Sequence, residues 1–126
     1  MGIMNIELTL SNPRQISLSP VLAEALVDTG VITLCIPEQV RIQLQLEELE
    51  RREVTAGNGK KEVVPYVGPV KITCLGRSCF GGALVLGDHV LLGAVPMEDM
   101  DLVISPTKRQ VTVNPQSPNI PSAIVM

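Results

Sequence analysis

The chain is a succession of short β-prone segments, and turn residues separate them at close intervals. Residues 5–11, "NIELTLS", alternate apolar and polar side chains as a half-buried strand does. Residues 14–20, "RQISLSP", and 22–30, "LAEALVDTG", are interpreted as further β segments. Residues 31–36, "VITLCI", form a continuous apolar run whose β-branched content favours a buried strand. Short strands at this spacing predict an all-β fold, and a small closed barrel would remove their exposed edges.

Turn chemistry predicts two hairpins. Gly57, Asn58 and Gly59 tolerate the positive φ of a tight turn, and β-prone arms flank them. The segment "GPVKITCLGRSCFGGALVL" predicts a second hairpin that turns at 75–77. The last strand is expected in "KRQVTVN", residues 108–114.

Prolines mark the starts of one or two short helices. Pro37 with Glu38 favours a helix near residues 37–44, followed by an irregular stretch. The apolar residues at 40, 42, 44 and 46 alternate with period two, which would instead fit a strand. A second short helix is expected to begin at Pro96.

The composition excludes several classes of function. The 126 residues suffice for one domain with a single core. Only 2% of them are aromatic and the net charge is -3, which disfavours nucleic-acid binding. No apolar stretch approaches the roughly 18 residues that span a bilayer. The N-terminal segment lacks the basic region of a secretory signal. We therefore expect a cytoplasmic, soluble protein with neither a nucleic-acid nor a membrane partner.

The three cysteines are expected to be free thiols in a reducing compartment. Cys74 and Cys79 are interpreted as thiols on neighbouring strands of a hairpin. A zinc site would need more ligands, and His89 is the only histidine. A redox or metal role for Cys35, Cys74 and Cys79 is a weaker alternative. We expect no metal and no cofactor.

Asp28 is the candidate catalytic residue. Asp-Thr-Gly is a common turn tripeptide, and alone it says little. Here apolar runs flank it on both sides, where an ionised carboxylate is costly unless it is hydrogen-bonded, metal-bound or shares a proton. Two carboxyls about 3 Å apart share one proton, which allows them to activate water for peptide hydrolysis. The tripeptide occurs once, so a catalytic interpretation requires a second copy of Asp28 in a twofold homodimer.

Four segments in order resemble the retropepsin-like aspartic proteases, especially the small single-domain bacterial members. "ALVDTG" resembles their active-site loop, and "VTAGNGKKEVV" lies where the family carries its flap. "VLLGAVPMEDMDLVI" resembles the second family signature, and "VNPQSPNIPSAIV" resembles the C-terminal segment of the bacterial proteins. The resemblance implies a closed retropepsin-like barrel in residues 1–114, followed by a Pro-rich tail in residues 115–126.

The resemblance also implies roles for individual residues. Asp28 would be the catalytic carboxylate, Thr29 would bond across the dimer axis, and Gly30 would present its backbone close to Asp28. Val31 stands where the family usually has Ala or Ser, and its bulk predicts a narrowed S1-type pocket. A peptide or protein substrate would bind extended between these residues and the flap. The other residues implied are substrate-binding Ala56, Gly57, Asn58 and Gly59 and the loop supports Leu91, Leu92 and Gly93.

Two functions remain open from the sequence. The first is a homodimeric aspartic endopeptidase, in which water is the nucleophile. The second is a catalytically inactive dimeric module of the same fold, which binds peptides or serves assembly. In either case "NIELTL" and "RQVTVN" are candidate strands for an intersubunit sheet, and Tyr66 is expected at the barrel edge.

Overall fold

The structure is a computed structural model that describes residues 4–125. Strands account for most of the regular structure in this range. They are β1 (Asn5–Ser11), β2 (Val21–Val27), β3 (Leu34–Ile36), β4 (Glu47–Thr55), β5 (Lys61–Cys74), β6 (Arg77–Val85), β7 (Leu91–Leu92), β8 (Leu102–Ser105) and β9 (Gln110–Val113). Two six-residue helices join them, α1 (Glu38–Gln43) and α2 (Ala94–Asp99).

Six of the strands close into a barrel, which confirms the predicted all-β fold with two short helices. Neighbouring strands follow the order β1-β2-β7-β3-β6-β5. The ring closes where residues 9–11 of β1 pair antiparallel with residues 71–73 of β5. Outside the barrel, β4 pairs with β5, and β8 and β9 form a separate antiparallel pair. Closure satisfies the backbone groups that an open sheet would expose.

The core is aliphatic, as the composition requires. Fully buried side chains come from alternate positions of the barrel strands, including Leu8, Leu10, Leu34 and Leu92. Burial of each such side chain contributes about 1.5–3 kcal/mol relative to its exposure to water. Phe80, in contrast, is 60% exposed. The barrel is therefore closed without an aromatic side chain at its centre.

Helix α1 confirms the prediction for residues 37–44. Val40 and Leu44 are buried, whereas Ile42 is exposed, so the buried face has the i, i+4 spacing of a helix. The period-two spacing of the apolar residues at 40, 42, 44 and 46 would also fit a strand, but residues 38–43 form a helix. The irregular stretch predicted after this helix is largely wrong, because β4 begins at Glu47 and extends the first arm of the hairpin.

The β segment predicted over residues 14–20 is also wrong, because this stretch forms turns. The side-chain oxygen of Asn12 accepts a hydrogen bond from the Arg14 amide at 2.9 Å. Its side-chain nitrogen donates to the Leu44 carbonyl oxygen at 2.9 Å. Asn12 and the following Pro13 thus start a turn where the alternation of apolar residues suggested a strand.

Both predicted hairpins are present. The second turns at Leu75 and Gly76, whose φ angles are 52° and 77°, as two-residue hairpin turns require. Helix α2 begins at Ala94, two residues before the predicted Pro96, which therefore occupies its first turn. A missing N–H costs no helical hydrogen bond there.

The remaining predictions concern the cysteines, the tail and the edges. The three thiols are free and buried, and Cys74 and Cys79 lie on the neighbouring strands β5 and β6. Residues 114–125 contain neither helix nor strand. Thr9 and Leu10 of β1 have partners on both sides, so "NIELTL" cannot form an intersubunit sheet along its whole length. Neither helix described for residues 4–125 has the length and apolarity needed to cross a membrane.

Candidate active site

The Asp-Thr-Gly loop begins where β2 leaves the barrel. The Asp28 amide donates to the Leu92 carbonyl oxygen at 3.0 Å, continuing the parallel pairing of β2 with β7. The Gly30 amide donates to Asp28 Oδ1 at 3.0 Å, and the Val31 amide donates to the Asp28 carbonyl oxygen at 3.1 Å. These bonds hold the carboxylate at a fixed place on the rim of the barrel.

Gly93 allows the loop and helix α2 to approach each other. A Cβ atom at this position would lie 2.2 Å from the Thr33 carbonyl oxygen and 2.5 Å from that of Val31. The amides of Ala94 and Val95 donate to the carbonyl oxygens of Val31 and Ile32, each at 2.8 Å. The first turn of α2 therefore binds the backbone that follows the Asp-Thr-Gly tripeptide. Of the predicted supports, Leu92 and Gly93 contact the backbone of this segment, whereas Leu91 pairs with Leu26 and Cys35 on the neighbouring strands.

The Asp28 carboxylate is more open to solvent than its apolar sequence context predicts. Asp28, Thr29 and Gly30 are all exposed in the single chain, and Val31 is half-buried. A single chain therefore pays no desolvation free energy for an ionised Asp28, contrary to what the apolar flanking sequence suggested. If Asp28 is enclosed, a second molecule must enclose it.

The predicted flap is the end of the β4–β5 hairpin. The Ala56 amide donates to the Lys60 carbonyl oxygen at 2.8 Å, and the Gly59 amide donates to the Ala56 carbonyl oxygen at 2.9 Å. Gly59 has a φ of 84°, which favours glycine. Asn58 Oδ1 accepts from the Lys60 amide at 2.9 Å. All these residues are exposed, so the tip projects from the barrel.

A groove of about 500 Å³ separates the flap from the Asp-Thr-Gly loop. The loop contributes Gly30 and Val31 on one side, and the flap contributes Ala56 on the other. Leu91 forms part of the floor. Of the predicted site residues, these four are thus brought together around one space. The tip residues 57–59 do not line it.

The groove also contains residues that the sequence analysis did not assign. They are Ile32, Thr33, Cys35, Arg52, Glu53, Val54, Thr55, Lys60, Glu62, Leu84 and Leu86. Thr33 and Cys35 alternate along the chain with the fully buried Leu34 and Ile36. This alternation could have indicated that Thr33 and Cys35 lie on the other face of the segment, toward the groove. Nothing local in the sequence indicates that β6 lies beside β3, and the assignment of Leu84 and Leu86 depends on that pairing.

Two of the charged residues that line the groove, Arg52 and Glu53, form ion pairs with residues outside it. Arg52 Nε donates to Glu50 Oε2 at 2.7 Å, and Lys61 Nζ lies 3.8 Å from Glu53 Oε1. The thiol of Cys35 lies in the groove wall. Burial, together with the nearby Asp28 carboxylate, raises the pKa of Cys35 to about 11. This thiol is therefore neutral and a poor nucleophile at ordinary pH. Among residues 4–125, no three His, Cys, Asp or Glu side chains cluster as a metal site would require.

Fold and groove together define a retropepsin-like barrel with an acidic loop facing a hairpin flap. No protein-family model and no curated protein matches the sequence. Among solved structures, the chain is similar to the simian foamy virus (mac) protease, whose structure was determined in solution. The identity is 18%, the TM-score is 0.50, and the match covers 74% of this chain and 90% of that protein. At this identity the similarity shows the retropepsin-like fold.

Proposed function

We propose that the protein is a homodimeric aspartic endopeptidase in which each chain supplies one Asp28 carboxyl. The observation that carries this proposal is the position of Asp28. Its Oδ1 accepts a hydrogen bond from Gly30, a residue that lines the groove between loop and flap. The carboxylate is exposed in one chain, so a second chain has access to it. The similar foamy virus protein is named as a protease, which agrees with this function.

The chemistry follows from two carboxyls that share one proton. At a separation of about 3 Å both cannot be ionised, so one is charged and the other is neutral. The charged carboxyl takes a proton from water, and the neutral one donates to the carbonyl oxygen of the scissile peptide. The hydroxyl that forms attacks the carbonyl carbon, and the amine leaves after it has been protonated. This route needs neither a metal nor a covalent intermediate.

The substrate would be an extended peptide segment. The flap offers strand backbone on one side of the groove, and Val31 and Leu91 offer apolar side chains on the other. Backbone hydrogen bonds to a strand edge give affinity, and alternate side chains in pockets give specificity. Closure of residues 57–59 over the peptide remains part of the proposal, because the tip does not line the groove in this structure.

The test is Asp28→Asn, which keeps the shape of the side chain but prevents proton sharing. We expect kcat/KM for peptides to fall at least about a hundredfold, the usual scale for loss of a general acid or base. Dimerisation should persist in analytical ultracentrifugation. Asp88→Asn is the matched control, because the Asp88 carboxylate is 90% exposed and lies outside the groove.

The second candidate is a dimeric module that binds peptides without cleaving them. Val31 favours this function, since it lines the groove at a position where the resembling family usually has a smaller residue. A pair of carboxyls that shares one proton should be active somewhere between about pH 3 and 8. A wild-type protein that binds peptides of a broad library but cleaves none of them in this range would therefore support the second candidate. The bacterial type, the cytoplasmic location and the absence of other partners remain predictions.

A further inference from the structure

A second, smaller pocket lies beside the groove and contains both aromatic residues of the chain. Its volume is about 100 Å³, and its walls include Tyr66, Phe80 and Pro96. Thr33 lines both this pocket and the groove. Arg52 lines the groove and stacks on the Tyr66 ring, with its guanidinium carbon 3.6 Å from the ring centroid. The two spaces therefore adjoin each other at Thr33 and at the Arg52–Tyr66 pair.

Tyr66 is a rigid wall of this pocket. Its ring packs so closely on Gly82 that a Cβ atom there would lie 2.1 Å from the Tyr66 ring carbon Cζ. Arg52 covers the ring. The Thr33 hydroxyl donates to the Gly82 carbonyl oxygen at 3.2 Å, which ties the residue just before β3 to the same glycine. The wall is therefore formed before any ligand arrives, so little entropy is lost on binding.

Phe80, which also lines the pocket, is unusual because it is a large apolar residue that is mostly exposed. A phenylalanine that only filled the core would be buried, and the core of this barrel is complete without it. A Cβ atom added at the neighbouring Gly81 would meet nothing within 4 Å, so the surface beside Phe80 is open. Because Tyr66 and Phe80 both line the pocket, an aliphatic side chain bound in it would bury apolar surface of both residues.

We propose that this pocket, the Tyr66–Phe80 pocket, is a distal subsite that binds an aliphatic side chain of the peptide. This inference rests on the proposed function, in which an extended peptide occupies the groove. Thr33 lies three positions after Gly30, so their Cα atoms lie at most about 11 Å apart. An extended peptide rises about 3.3 Å per residue and covers that distance in about three residues. The side chain bound here therefore lies two to five residues from the scissile bond.

The acidic residue Asp99 also lines the pocket. An acidic side chain would be repelled there, because like charges in a partly enclosed site disfavour each other. The subsite should therefore prefer leucine or valine and reject aspartate and glutamate. Because a homodimer carries two copies of the pocket, the preference should occur on both sides of the scissile bond.

The experiment uses pairs of peptides that share one cleavage sequence and differ only by Leu or Gly at one position, two to five residues from the scissile bond. For the wild type we expect a Leu-to-Gly ratio of kcat/KM of about ten at one of these positions, the lower end of what an apolar pocket provides. Phe80→Ala should reduce that ratio to about two or less. Ile42→Ala is the matched control, since Ile42 is 63% exposed and lines neither space, and it should keep the wild-type ratio.

A ratio near one at every position in the wild type would overturn the inference while leaving the endopeptidase intact. An equal loss with both peptides in Phe80→Ala would also overturn it, because that pattern indicates a structural role. If the wild type cleaves nothing, the proposed function fails instead. In that case the same peptides, carrying a fluorescent label, are titrated with the Asp28→Asn variant, and the fluorescence anisotropy gives their dissociation constants. Tighter binding of the Leu peptide that is lost when Phe80→Ala is added supports the subsite, and equal binding of the two peptides overturns it.

Discussion

Gly93 and Thr33 are in direct backbone contact at the base of the candidate active site. A side-chain carbon at residue 93 would lie 2.2 Å from the Thr33 carbonyl oxygen and 2.8 Å from its amide nitrogen. Both atoms belong to the backbone, so no side-chain rotation can relieve the overlap. Only a shift of α2 or of the Asp28 loop would make room.

Gly93→Ala should therefore impair both stability and activity. Overpacking of a rigid site typically costs about 1–3 kcal/mol of unfolding free energy. Here the displaced atoms follow Asp28 by only a few residues, so we expect kcat to fall more than the folded fraction does. Denaturant unfolding and peptide cleavage, measured on the same preparation, check the two effects.

Gly57→Ala is the control for the stability measurement. A Cβ at Gly57 meets nothing within 4 Å. The substitution should leave the unfolding free energy within about 0.5 kcal/mol, or raise it slightly by restricting the unfolded chain. Equal stability of the two alanine variants would contradict the close packing of Gly93 against the loop.

Asp101 predicts a specific acid sensitivity. Its carboxylate accepts hydrogen bonds from the Ser117 hydroxyl, from the Ser122 amide at 2.9 Å and from Asn114 Nδ2 at 3.1 Å, and Arg77 Nη1 lies 3.7 Å away. The Ser117 hydrogen bond above all, then those of Ser122 and Asn114, lower the pKa of Asp101 in the folded state. The ionised carboxylate thus stabilises the fold above its unfolded pKa of about 3.9, and this contribution is lost as the pH falls through the lower folded value.

Asp101→Asn should accordingly have a lower melting temperature than the wild type at pH 7. The difference between the two should shrink as the pH is lowered from about 5 to 2, because the wild type loses its charge in that interval. Thermal unfolding followed by circular dichroism gives both curves. The highly exposed Asp88 serves again as the control through Asp88→Asn. A difference that stays constant with pH would contradict the role of the Asp101 charge.

The sequence predicted the barrel because local and global signals agree in its strands and turns. Residues 5–11 have the period of a half-buried strand, and glycines mark the hairpin turns. Of the apolar run 31–36, which predicted a buried strand, only Leu34–Ile36 forms one. The errors arose where one local signal outweighed another. Over residues 14–20 the turn formed by Asn12 and Pro13 competes with a weak alternation, and the turn is more stable because it satisfies backbone groups. Over residues 45–50 the charged edge strand β4 carries no hydrophobic period to detect.

The Asp-Thr-Gly loop and the segment 91–93 could be predicted because each is a short continuous stretch with a recognisable local pattern. Gly30 and Leu91 indeed line one groove. The groove residues Leu84 and Leu86 could not be predicted, because Leu84 belongs to β6 and Leu86 follows it directly, and the position of β6 depends on the barrel topology. The same holds for Tyr66. The sequence predicts an edge residue there, whereas contact with Gly82 and Arg52 depends on the pairing of three strands.

The buried thiols should resist alkylation in the folded protein. Burial is the main factor that raises the pKa values of Cys35, Cys74 and Cys79 to about 11 each. At pH 8 their thiolate fraction is roughly two-hundredfold below that of a free cysteine with pKa near 8.5, so iodoacetamide should react slowly. Mass spectrometry with and without denaturant measures the labelling. A thiol modified within minutes in the native state would revive a redox role for the cysteines.

Activity should depend on the association of two chains. If each chain supplies one Asp28, specific activity should fall on dilution below the dimer dissociation constant. A sharper test mixes wild-type protein with the Asp28→Asn variant. The chains exchange between dimers, and each mixed dimer has only one Asp28 carboxyl, so it should be inactive. With a ninefold excess of the variant, the activity per wild-type chain should fall to about one tenth, the fraction of wild-type chains that still find a wild-type partner. Activity that is unaffected by dilution and by the variant would mean that a single chain carries the complete site, and the shared-proton mechanism would then be wrong.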